Sequence, residues 1–137
     1  MEIPKRNEVI VLLQEFKATN PWQGKIIERK EKFIFLHKKL NELFGKNVKL
    51  DFDIPTRFRR WTNSGNSEWD RVENKIILRG RLSVVTYIHE YFHALDFNQT
   101  DAQKGATELF KEVFPEKYEK LLNRMGMLIK EWFVFKH

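Results

Sequence analysis

Residues 83–97 read SVVTYIHEYFHALDF, and they govern the interpretation of this 137-residue chain. Ser83 is a good helix N-cap, and Val84, Val85, Tyr87, Ile88, Phe92 and Leu95 surround the rest with apolar side chains, which predicts a largely buried helix. His89 and His93 stand four apart, so on a helix their imidazoles share one face about a turn apart and can reach one metal ion, with Glu90 beside them. Two imidazoles and a carboxylate are costly to bury unless they are paired or bound to metal. Zinc held by two His nitrogens and one carboxylate keeps a position open for water and lowers its pKa toward ~7. Glu90 is then the candidate general base, and one zinc per chain is expected.

Outward from this segment, composition narrows the possibilities. A chain of this length with 42% hydrophobic residues can bury one core, so a single domain over 1–137 is expected. Cysteine is absent, which excludes disulfides and thiolate zinc sites and leaves His, Asp and Glu as metal ligands. No apolar run reaches membrane-spanning length and MEIPKRNEV lacks the apolar core of a signal peptide, so a cytoplasmic protein is expected. The net charge of +6 is concentrated in residues 1–49, with 11 Lys/Arg against 6 Asp/Glu. Such a segment could hold nucleic acid or an acidic partner, but no nucleic-acid motif accompanies it. Lys25, Arg29, Lys30, Lys32, Lys38 and Lys39 read better as the solvated face of an amphipathic helix.

The remaining pattern is α+β. Val9, Leu12, Leu13 and Phe16 predict a first helix over 7–19. Asn20-Pro21 reads as the start of a second, continued by Ile26, Phe33, Leu40 and Phe44 and stopped by Gly45. His37 lies on that stripe with no second ligand at metal spacing, so it reads as a core-edge histidine. Val48, Leu50, Phe52 and Ile54 alternate as in a half-buried strand. Phe58, Trp69, Ile76 and Leu78, separated by Ser, Asn and Gly clusters, predict further short antiparallel strands, giving a small mixed or antiparallel sheet of three or four. Asp101 reads as the N-cap of the next helix. A C-terminal helix is expected from about Pro115 to Phe133, its Leu121, Leu122, Met125, Leu128, Ile129, Trp132 and Phe133 covering the core or making a dimer contact.

NKIILRG followed by a Ser-started helix with IHEYFHALDF resembles the active-site half of zincin metallopeptidases. The resemblance implies a His-Glu-x-x-His helix under a small sheet whose edge strand lines a peptide cleft. It also implies hydrolysis of a peptide or protein substrate by metal-activated water. Metzincins carry a third histidine six residues after the second, where this chain has Gln99, and are set aside. An aspartate-ligated reading would use Asp96 or Asp101, although one helix places Asp96 some ~7 Å beyond the midpoint of the histidines, better suited to supporting a ligand or stopping the helix. In ATELFKEVFPEKY, Glu108 and Glu112 share a face opposite Leu109, Phe110, Val113 and Phe114, with Gly105 allowing close helix approach. This resembles the glutamate helix of the anthrax lethal-factor type of gluzincin, by which Glu108 would be the third ligand and Glu112 would orient a histidine. Tyr91 and Tyr118 are the candidates to stabilise an oxyanion. A minimal zinc endopeptidase, monomer or dimer and without a membrane partner, is the expectation. A peptide would lie antiparallel to the strand at Lys75–Leu78. The competing expectation is a zincin-fold binding or regulatory module with weak or no turnover that could associate with nucleic acid through its basic helices.

Overall fold

The computed structural model describes residues 2–54, 67–80 and 82–124. In chain order the elements are α1 (Arg6–Ala18), α2 (Ile26–Phe44), β1 (Lys49–Asp53), β2 (Glu68–Asp70), β3 (Lys75–Arg79), α3 (Val84–Ala94), α4 (Gln99–Val113) and α5 (Pro115–Arg124). The architecture is α+β, as the order of periodicities implies. The expected strand position at Phe58 and the C-terminal helix beyond Arg124 lie outside the described residues.

The sheet is mixed, with order β1-β3-β2. β1 runs parallel to β3, Leu50 opposite Ile76, and β2 runs antiparallel to it, Trp69 opposite Ile76. The expected antiparallel pairing therefore holds for β2 alone. β3 is the central strand, and its Ile76 and Leu78 are fully buried. β1 pairs with β3 along Lys75–Arg79 and β2 along Lys75–Ile77, so both edges of Lys75–Ile77 are occupied and a peptide cannot add there. Backbone donors and acceptors already used in a ladder are unavailable to another strand.

The helices bury continuous apolar stripes. In α1 and α2 these are Val9, Leu13 and Phe16, and Phe33, Leu36 and Leu40. Edge-to-face aromatic pairs link them to the motif helix, with Phe16–Phe33 centroids at 5.1 Å and Phe33–Tyr87 at 5.7 Å. α2 begins later than expected. Asn20 has φ +56°, which is incompatible with the extended backbone of an N-cap, and the chain turns through Pro21–Gly24 before Lys25 takes that position. The turn serves packing, since it seats Trp22 edge-on to Phe114 with centroids 5.2 Å apart. Gly45 ends α2 in the left-handed conformation, φ 63°, as its lack of a Cβ allows.

His37 is buried at 5% exposure. The Val48 carbonyl can only accept, so His37 Nε2–H donates to it at 2.6 Å and Nδ1 accepts from the Tyr87 hydroxyl at 2.7 Å. Both ring nitrogens are thereby used within the core, the role its place on the stripe suggested.

Candidate metal centre

α3 is positioned from both ends. Ser83 Oγ accepts from the Thr86 N–H at 3.3 Å, and the helix stops where Asp96 takes φ +70°. Sheet and helices enclose it, so every residue from Val84 to Phe92 is buried. His89 and His93 face one way along α3. Tyr87 and Tyr91 face the other, toward α2, where the Tyr91 hydroxyl donates to Asn41 Oδ1 at 2.9 Å. Tyr91 is thus turned away from the histidines, and Tyr118 lies on α5 with Lys111 Nζ 5.6 Å from its ring centroid.

His89, Glu90 and His93 each offer a ligand atom, and the three atoms lie within 4.8 Å of one another. The group is therefore close enough to bind a metal ion. His89 Nε2 and His93 Nε2 are 3.0 Å apart. Two ligands ~2.05 Å from a tetrahedral metal stand ~3.3 Å apart, so the separation fits a shared ion with little adjustment. His93 Nδ1 lies 3.0 Å from the Phe97 carbonyl. A carbonyl cannot donate, so Nδ1 carries the proton and Nε2 presents its lone pair toward His89, the tautomer a metal requires. The Phe97 carbonyl is held there because the Phe97 ring stacks on Phe92 at 4.9 Å and its N–H donates to the Phe92 carbonyl.

Glu90 is on the β2 side of α3, 5% exposed. Burial, reinforced by the neighbouring Glu68 carboxylate, pushes its pKa up from 4.5 to about 8, while a hydrogen bond from the Trp69 backbone N–H opposes the shift. Glu68 itself is engaged by Arg79, Oε1 to Nη1 at 2.6 Å. β2 thus supplies both a donor and a like charge to the same carboxylate.

The structure does not bring Glu108 to the histidines. On α4 the buried arc is Ala102, Gly105, Ala106 and Leu109, the side packed on its neighbours, and Glu108 is exposed on the other side. Its Oε1 lies 3.9 Å from Arg6 of α1, and Glu112 Oε2 accepts from Arg6 Nη2 at 2.7 Å. The two carboxylates share a face, as their spacing requires, but that face meets a surface arginine. Asp96 Oδ1 is 3.3 Å from exposed Arg71, so Asp96 stops the helix and does not support a ligand histidine. Asp101 is not the cap of α4. Asn98 is, its side chain accepting from the Asp101 N–H at 2.8 Å. Gln99, the first residue of α4, places Oε1 2.8 Å from His93 Nε2. Its signal in the sequence was position alone, six residues after His93. The Glu68–Trp69 contribution carried no sequence signal, because it depends on pairing of β2 with β3.

The chain matches no family model, no curated protein and no solved structure. Geometry therefore carries the functional argument. Among the described residues no helix is long and apolar enough to cross a membrane. Several cations of the basic segment are already used within the fold. Arg29 Nε donates to the Pro21 carbonyl, Lys32 Nζ to the Asn20 carbonyl and Lys5 Nζ to the Leu43 carbonyl, each at 2.8–2.9 Å.

Proposed function

We propose that this protein is a zincin-type, zinc-dependent metallopeptidase that hydrolyses peptide bonds, with His89 and His93 as metal ligands and Glu90 as general base. The observation that carries the reading is the convergence of the two Nε2 atoms at 3.0 Å with a buried carboxylate in the same group. Zinc is favoured over a harder cation because both nitrogens are imidazoles, which suit it, whereas magnesium and calcium prefer oxygen. When bound, the ion supplies Lewis acidity toward a carbonyl and lowers the pKa of water.

The rest of the chemistry belongs to the protein. Glu90 accepts a proton from the attacking water and delivers it to the nitrogen of the scissile amide, so that one carboxylate serves both halves of the reaction. Burial alone would hold it protonated near neutrality, and a divalent cation beside it favours the ionised form that a base needs. The Trp69 N–H fixes the carboxylate's orientation against α3. Among the described residues β2 is an edge strand, and it adjoins Glu90, so an extended peptide aligns along β2 rather than β3.

Cleavage of a casein-like substrate by the full chain tests the reading. Activity is expected to vanish with a chelator and return with zinc, and Glu90→Gln should retain zinc while lowering turnover by ~10²-fold or more. Turnover unchanged in the Gln variant would remove Glu90 from the mechanism.

A further inference from the structure

Among the described residues the two histidines are joined in the cluster only by Glu90, the proposed base, and the carboxylate that the sequence offered, Glu108, points elsewhere. Glu108 is nine residues beyond Gln99 on α4. That is ~13 Å along the axis and ~180° around it, so a helix that presents Gln99 to His93 turns Glu108 away.

We infer that Gln99 is the third protein ligand of this centre, donating its side-chain amide oxygen. The inference rests on the metal-site reading above and names the residue that completes it. Three observations support it. First, Gln99 Oε1 is 2.8 Å from His93 Nε2, which is itself 3.0 Å from His89 Nε2. These separations fall near the spacing of atoms around one tetrahedral ion. Second, His93 Nδ1–H is committed to the Phe97 carbonyl, so Nε2 faces Gln99 with a lone pair. The amide oxygen also can only accept. A divalent cation held jointly by His89 Nε2, His93 Nε2 and Gln99 Oε1 would offset the repulsion between these acceptors. Third, the backbone delivers Gln99 to this place. Asp96 at φ +70° reverses the chain at the end of α3, and Asn98 caps α4, fixing Gln99 as its first residue.

The chemical consequence is a site of two imidazoles and a neutral amide. It keeps the full charge of the ion, where a carboxylate ligand would cancel part of it. Such a centre should bind zinc more weakly than a site with a carboxylate ligand and polarise a carbonyl more strongly. Gln99 is exposed, so its substitution is not expected to disturb the core.

Chromogenic-chelator competition on the metal-stripped full chain gives zinc affinity, and visible absorption of the cobalt(II)-loaded protein reports the ligand set. Circular dichroism of each metal-free variant checks folding. Gln99→Ala is expected to weaken zinc binding by more than ~100-fold, the upper end of what a residue that only orients a ligand would cost. Gln99→Glu keeps an oxygen at the same reach and adds charge. It should bind zinc at least ~10-fold more tightly than wild type, and both variants should shift the cobalt spectrum. If wild type binds zinc, His89→Ala loses it, and both Gln99 variants keep wild-type affinity and cobalt spectrum, then Gln99 is not a ligand although the metal-site reading survives. If wild type binds no zinc, both fall together. A folded Gln99→Glu variant that binds more weakly than Gln99→Ala would also overturn the assignment.

Discussion

Glu90→Gln in the metal-stripped protein is expected to be more stable than wild type at neutral pH. Glu90 is 5% exposed, and its pKa rises from 4.5 to about 8 on folding because burial and Glu68 disfavour the charge. For an acid whose folded pKa is raised, the unfolded chain holds fewer protons than the folded one between the two values. Stability is therefore fully present below about 4.5 and is lost as pH rises toward 8. One unit corresponds to about 1.4 kcal/mol, so at pH 7 the accumulated loss approaches ~3 kcal/mol and continues to grow up to about pH 8. Gln keeps the shape and cannot ionise, which removes the penalty. Urea titrations of both proteins in a chelator, at intervals from pH 5 to 8.5, measure the effect. The Gln variant should gain on wild type as pH rises, with the difference levelling off above 8. A stability difference that is constant across this range, or that shrinks with rising pH, would show that Glu90 is not held in a desolvated, charge-disfavouring site.

Glu108→Ala should leave zinc affinity at the wild-type value by chelator competition. It should cost no more than ~1 kcal/mol in urea unfolding, because its contact with Arg6 at 3.9 Å is solvent-exposed and Glu112 remains paired with the same guanidinium. Asp96→Ala should likewise retain zinc, its contact being exposed Arg71. Burial holds the His37 imidazole below its ordinary 6.5 despite the opposing Val48 carbonyl; the groups around it are Val48, Tyr87 and the Tyr91 ring. With a lowered folded pKa its contribution is complete above 6.5 and declines as pH falls below that value, so His37→Gln should flatten the acid side of the stability profile measured from pH 7 to 5.

The motif helix was legible because everything that fixes it is local: a serine cap, a dense apolar surround and two histidines one turn apart. β1 was legible from alternation, and the core role of His37 from its place on the α2 stripe. What sequence could not supply is long-range. Strand polarity depends on which segments meet, so the central position of β3 and the approach of Trp69 to Glu90 emerge only from the assembled sheet. Asn20-Pro21 has the composition of a helix start, but packing of Trp22 on Phe114 draws those residues into a turn. Glu108 and Glu112 do lie on one face, and the spacing revealed that much. Which neighbour the face meets is decided by burial of Ala102, Gly105, Ala106 and Leu109, which turns the carboxylates to Arg6 and leaves the start of α4 beside His93.

Metal stoichiometry tests the central claim most directly. Native mass spectrometry of the full chain after zinc reconstitution and desalting is expected to show one zinc per wild-type chain and none on His89→Ala or His93→Ala. Wild-type chain that carries no zinc, or a His93→Ala variant with full occupancy, would contradict a metal centre built on these two histidines.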